Sequence, residues 1–96
     1  MEEWEQDKLF AIADYLDEEI LDSRTTIQPI LPASPVWVLT VRTPKKLYGL
    51  KVTRSLIEDQ SRSVNEIQRL MVRDDLARKL QASNGEYAWN PKSEMG

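Results

Sequence analysis

A chain of 96 residues has room for one domain and one core, with little apolar surface left to wall an enclosed pocket. Its 41% hydrophobic and 30% charged residues are the proportions of a globular protein rather than a disordered one. Neither cysteine nor histidine occurs, which excludes disulfides, thiolate and imidazole metal sites, a cysteine nucleophile and the commonest general base.

The opening Met1-Glu2-Glu3-Trp4-Glu5 is acidic where a signal peptide would be basic and then apolar. No apolar run approaches the ~20 residues of a membrane span. A cytoplasmic protein with no membrane partner is expected.

Residues 4–22 carry a helical period. Leu9, Ile12, Ala13, Leu16 and Ile20 share one face, Phe10 and Leu21 flank it, and Asp7, Asp14, Glu18 and Asp22 lie opposite. Thr25 to Leu31 is β-rich but contains Pro29, which cannot donate a ladder hydrogen bond, so an edge or bulged strand is expected.

Val36–Thr43 and Lys46–Arg54 predict an antiparallel hairpin joined at Thr43-Pro44-Lys45-Lys46, with Pro44 suited to the second turn position. The register sets Val41 opposite Tyr48, Leu39 opposite Leu50 and Trp37 opposite Val52, all on one face. Val36, Val38, Thr40, Arg42, Gly49, Lys51 and Thr53 take the other, as in a sheet buried on one side.

Ser55-Leu56-Ile57-Glu58 and Ser63-Val64-Asn65-Glu66 both have capping-box form. The preferred reading is one main helix over 63–82, a short turn at 55–60 before it, and a stop at Asn84-Gly85. Val64, Ile67 and Met71 point one way along that helix, and Val72, Leu76 and Leu80 form a second stripe. Either the helix kinks near Arg73-Asp74-Asp75 or both faces are covered, the second by a helix or another subunit. Tyr87 and Trp89 have strand spacing and would dock on the domain's own sheet or in a partner's groove.

The expected fold is therefore α+β in the order α-β-β-β-α, a three-stranded antiparallel sheet with both helices on one face. Residues 1–83 would form the domain, with 84–96 a partly flexible tail. The expected core is Leu9, Ile12, Leu16, Ile20, Trp37, Leu39, Val41, Leu50, Val52, Ile67 and Met71. The order matches the layout of double-stranded-RNA-binding domains, but an acidic first helix would repel phosphate and the likeness stops at layout.

Charge is sorted along the chain. Residues 1–22 hold nine acids against the single base Lys8, whereas 23–54 hold six bases and no acid. The acids can be the solvated back of a helix and the bases the soluble side of a sheet. Alternatively, the hairpin docks an acidic partner, or the helix a basic one. Helix and hairpin of neighbouring molecules could also pair, but exposed ion pairs are worth ~0–1 kcal/mol each and would not suffice alone.

No glycine-rich phosphate loop is present, helix-surface carboxylates do not make a metal site, and no serine has a base to activate it. A non-enzymatic protein without cofactor or metal is expected. It would act through protein–protein contact, a homodimer being one form. The alternative is a nucleic-acid accessory protein holding phosphates through the basic hairpin. The partner-binding candidates are Arg42, Lys45, Lys46, Lys51, Arg54, Val72, Leu76, Leu80, Tyr87 and Trp89.

Overall fold

The apolar spacing of the first segment folds as expected. The computed structural model describes residues 3–91, leaving Met1, Glu2 and positions 92–96 of the expected tail outside the described residues. Helix α1 (Glu3–Glu19) buries Leu9, Ile12, Ala13 and Leu16, and Ile20 follows them into the core. Asp22 (φ 56°) turns the chain back. The Asp17 carboxylate then accepts hydrogen bonds from Ser23 Oγ (2.9 Å) and Thr25 Oγ1 (2.7 Å), pinning the next strand to the end of α1.

That strand, β1 (Arg24–Ile27), is an edge strand, as Pro29 requires, and is shorter than the 25–31 expected. It pairs antiparallel with β2 (Val36–Arg42), which pairs antiparallel with β3 (Leu47–Thr53). The hairpin register is the one read from the sequence: Trp37↔Val52, Leu39↔Leu50 and Val41↔Tyr48. All six of those side chains are buried, so alternation alone locates the core face.

After β3 the structure departs from the sequence reading. A short helix α2 (Arg54–Glu58) follows β3 directly and buries Leu56 and Ile57. Its Thr53 cap makes no side-chain bond, so Ser55 is not a cap. Ser63 is one: its hydroxyl accepts the Glu66 N–H at 3.1 Å and starts α3 (Val64–Arg73).

The single helix expected over 63–82 is two, because the chain breaks at Asp74-Asp75 before α4 (Leu76–Ala82). Asp75 is left-handed (φ 50°), a conformation a short polar side chain tolerates better than most. The break turns Leu76 and Leu80 onto the core that Ile67 and Met71 already face, and all four are fully buried.

Gly85 (φ 113°) then starts a fourth strand, β4 (Glu86–Trp89), which pairs parallel with β3. The expected three-stranded antiparallel sheet is therefore a four-stranded mixed sheet, in the order β1-β2-β3-β4, and the described residues form four helices rather than two. The α-β-β-β-α layout, and with it the likeness to RNA-binding domains, does not describe the chain. Residues 86–89, part of the expected tail, join the sheet, so Tyr87 and Trp89 dock on the domain's own sheet.

The fold class is α+β. Every expected core residue is buried, joined by Leu56, Ile57, Leu70, Leu76, Ala77, Leu80 and Trp89 in one cluster. Helices contribute to that cluster and the sheet contributes one face to it, which leaves the sheet's other face without a helix among the described residues. No described helix is long and apolar enough to cross a membrane.

Candidate functional site

The uncovered sheet face is built by alternation. Side chains that do not point to the core are Arg24 and Thr26 on β1, Val36, Val38, Thr40 and Arg42 on β2, Leu47, Lys51 and Thr53 on β3, and Glu86 and Ala88 on β4. Arg24 and Arg42 stand directly opposite each other across the β1–β2 ladder, and both are exposed. Neither has an ion pair among the described residues. Like charges directly opposite on a sheet repel, so an intramolecular carboxylate would be expected there if the pair served stability alone.

The aliphatic component lies beside the cations. Val36 and Val38 are half-buried on β2, and Leu47 is 54% exposed at the start of β3. No aromatic side chain is on this face, because Trp37, Tyr48, Tyr87 and Trp89 all take core-side positions in the register.

The basic candidates separate by what each already holds. Arg42 and Lys45 are exposed and have no ion pair among the described residues. Lys51 meets Glu86 only loosely, at 3.8 Å between exposed side chains. Lys46 donates to the Ser83 carbonyl (3.2 Å) and lies 5.1 Å from the centre of the Tyr48 ring, tying the hairpin end to the end of α4. Arg54 is structural: its Nε donates to Glu58 Oε1 (2.7 Å), and Nη1 donates to the Pro32 (2.8 Å) and Ser34 (3.2 Å) carbonyls, fastening the β1–β2 loop. Arg24, which the sequence reading passed over, belongs with Arg42. It was the first base in the acid-free segment, but its partner across the ladder depends on the unread β1–β2 register.

The apolar candidates fare differently. Leu76 and Leu80 are fully buried and Trp89 is 2% exposed, so these three are core and offer no contact surface. Trp89 Nε1 donates to Asp74 Oδ2 at 2.9 Å, which locks β4 to the α3–α4 corner. Tyr87 packs partly buried against the core. Of the expected second stripe only Val72 is exposed, at 70%.

Val72 lines a groove between α1 and α3 with Phe10, itself 54% exposed. Asp7, Ala11, Asp14 and Glu18 of α1 and Gln68 of α3 form its sides, with Tyr15 and Met71 below. Asp7, Asp14 and Glu18 have no ion pair among the described residues. Further along α3, Arg69 and Arg73 border Val72 on the other side.

Lys8, the single base of the acidic segment, is buried, which its sequence position alone does not announce. Lys8 is 2% exposed, and its Nζ donates to the carbonyls of Ile57 (3.2 Å) and Asp59 (2.6 Å) at the end of α2 while lying 5.0 Å from the Trp4 ring centre. Burial pushes the ammonium down from its ordinary value, and the nearby Asp59 carboxylate opposes the shift. A cation at a helix C-terminus satisfies carbonyls that have no partner within the helix. The available signal was its place four residues before Ile12, on the flank of the apolar stripe.

Among the described residues no group of three or more acidic, histidine or cysteine side chains could hold a metal ion. Comparison with protein-family models, with curated proteins and with solved structures finds no match for this chain.

Proposed function

We propose that this is a small non-catalytic binding or regulatory protein, whose uncovered sheet face docks an acidic protein surface. The observation that carries the reading is the Arg24–Arg42 pair: two exposed guanidiniums held opposite each other on a face that no described helix covers, with no carboxylate of the described chain to meet them. A partner's carboxylates would relieve that repulsion and gain forked hydrogen bonds, for which arginine is well shaped. The mixture of Val36, Val38 and Leu47 with the cations favours a protein partner over a phosphate backbone, and no aromatic stands ready to stack on a base.

The test is affinity capture on the immobilised full chain, with bound proteins identified by mass spectrometry and compared with an Arg24→Glu/Arg42→Glu variant. Proteins with acidic surfaces should be retained by the first and lost from the second. Identical sets on both would sink the reading. A parallel anisotropy titration with a duplex oligonucleotide at ~50 and ~200 mM salt decides the nucleic-acid alternative. Tight binding at the lower salt, falling steeply at the higher, would replace the protein reading.

A further inference from the structure

We infer that the acidic surface docked by the sheet face is the α1–α3 face of a second copy of this chain, giving a head-to-tail self-association. The inference rests on the docking reading and names its partner. Both halves of the contact are on one molecule. The sheet face offers Arg24, Arg42 and Lys51 with exposed Leu47 and half-buried Val38; the groove offers Asp7, Asp14 and Glu18 with exposed Phe10 and Val72. The charges are opposite, and each set surrounds exposed apolar side chains. Exposed ion pairs alone are too weak to hold an assembly. Phe10 and Val72 against Leu47 and Val38 supply the apolar burial that the charges lack.

The two faces cannot meet within one chain. Leu9, Ile12 and Leu16 turn one side of α1 to the core, so Asp7, Asp14 and Glu18, at the opposite helical angle, face away from the sheet. Arg24 and Arg42 project from the far side of that sheet. A contact between such unlike surfaces is heterologous and propagates into a short chain or a ring instead of closing a two-fold dimer.

Sedimentation equilibrium on the full chain tests this. At ~50 mM salt the weight-average mass should climb above the monomer as concentration rises toward ~1 mM, and at ~500 mM salt it should fall back as screening shortens to a few ångströms. The monomer mass is 11.1 kDa.

The sharper measurement uses two charge-reversed chains, Arg42→Glu/Lys51→Glu and Asp14→Lys/Glu18→Lys. Each alone presents like charges at both ends and should remain monomeric, whereas an equimolar mixture restores both contacts and should associate. Circular dichroism checks that both variants fold; if one does not, the salt and concentration series on the unaltered chain decides. A mass that stays at the monomer throughout the low-salt series overturns the inference, as does a mixture of folded variants that fails to associate. A monomeric chain that still captures acidic proteins through Arg24 and Arg42 removes the self-association alone and leaves the docking reading standing.

Discussion

β3 is held on its two edges by pairings of different kinds. Toward β2 the pairing is antiparallel and closed by the turn at Thr43–Lys46, where Thr43 N–H donates to the Lys46 carbonyl at 2.9 Å. Toward β4 it is parallel, and the chain reaches it only after passing through α2, α3 and α4. A parallel neighbour always needs such a crossover, whereas an antiparallel one needs only a turn. One edge is thus secured by neighbours in sequence, and the other by whatever holds the crossover. Here that is the buried side of α4 and the corner at Asp74-Asp75. Tyr15 from α1 clips that corner, accepting the Ala77 N–H at 3.3 Å, and Trp89 from β4 bonds Asp74. Regions with few local contacts open at lower free energy than the global unfolding. The β4 edge should therefore fail first.

The largest effect is expected from Leu80→Ala. Leu80 is fully buried beneath the crossover, and truncation should cost about 2–5 kcal/mol in a denaturant titration. Hydrogen exchange should show protection lost at the β4 pairing before the β2–β3 pairing. Equal loss along both edges would break the distinction drawn between them.

A smaller effect is expected from Trp89→Phe, which keeps most of the buried ring but removes the bond to Asp74. Hydrogen bonds to charged groups are worth about 1.5–3 kcal/mol. Asp74 is held below its ordinary 3.8 first by the Arg73 hydrogen bond and then, against desolvation, by the Trp89 bond. A carboxylate with a depressed folded pKa contributes stability that is present above its unfolded value and is lost as pH falls through the folded one. The cost of Trp89→Phe should accordingly be full near neutrality and shrink as the solution is acidified below 3.8. A cost independent of pH would mean that the ring, not the Asp74 bond, holds β4.

The same contrast explains how far the sequence could be read. The hairpin was legible residue by residue because alternation of period two and one proline turn fix both faces and register without reference to the rest of the chain. α1 and its core stripe were legible for the same local reason. The break at Asp74-Asp75 was visible only as a phase shift between Ile67/Met71 and Leu76/Leu80, which a kink and an interface satisfy equally well. What decides is tertiary: Tyr15 lies far away in sequence and meets the corner through its hydroxyl. Tyr87 and Trp89 had strand spacing, but nothing local says which edge of which strand they join. Within the candidate site, Arg42 was placed on the open face by the hairpin register, whereas Arg24 needed the β1–β2 pairing. Lys46 and Arg54 looked equivalent to Arg42 in sequence and differ only through the carbonyls they reach across the fold.

The smallest expected effect on stability, and the one of opposite sign, is Arg42→Thr on the hairpin side. The substitution leaves the β2–β3 register untouched and adds a β-branched residue, which suits a strand. It also removes the repulsion with Arg24, to which Arg42 is paired across the ladder. Cross-strand pair terms run to about 0.2–1 kcal/mol, so the midpoint of denaturation should stay where it is or rise slightly. Capture of acidic proteins should nevertheless fall, because one prong of the guanidinium pair is gone. Stability rising while binding falls is the signature of a residue kept for contact at some expense to the fold. If Arg42→Thr instead destabilises the hairpin, the arginine serves the strand itself, and the open face loses the feature that marks it as a docking surface.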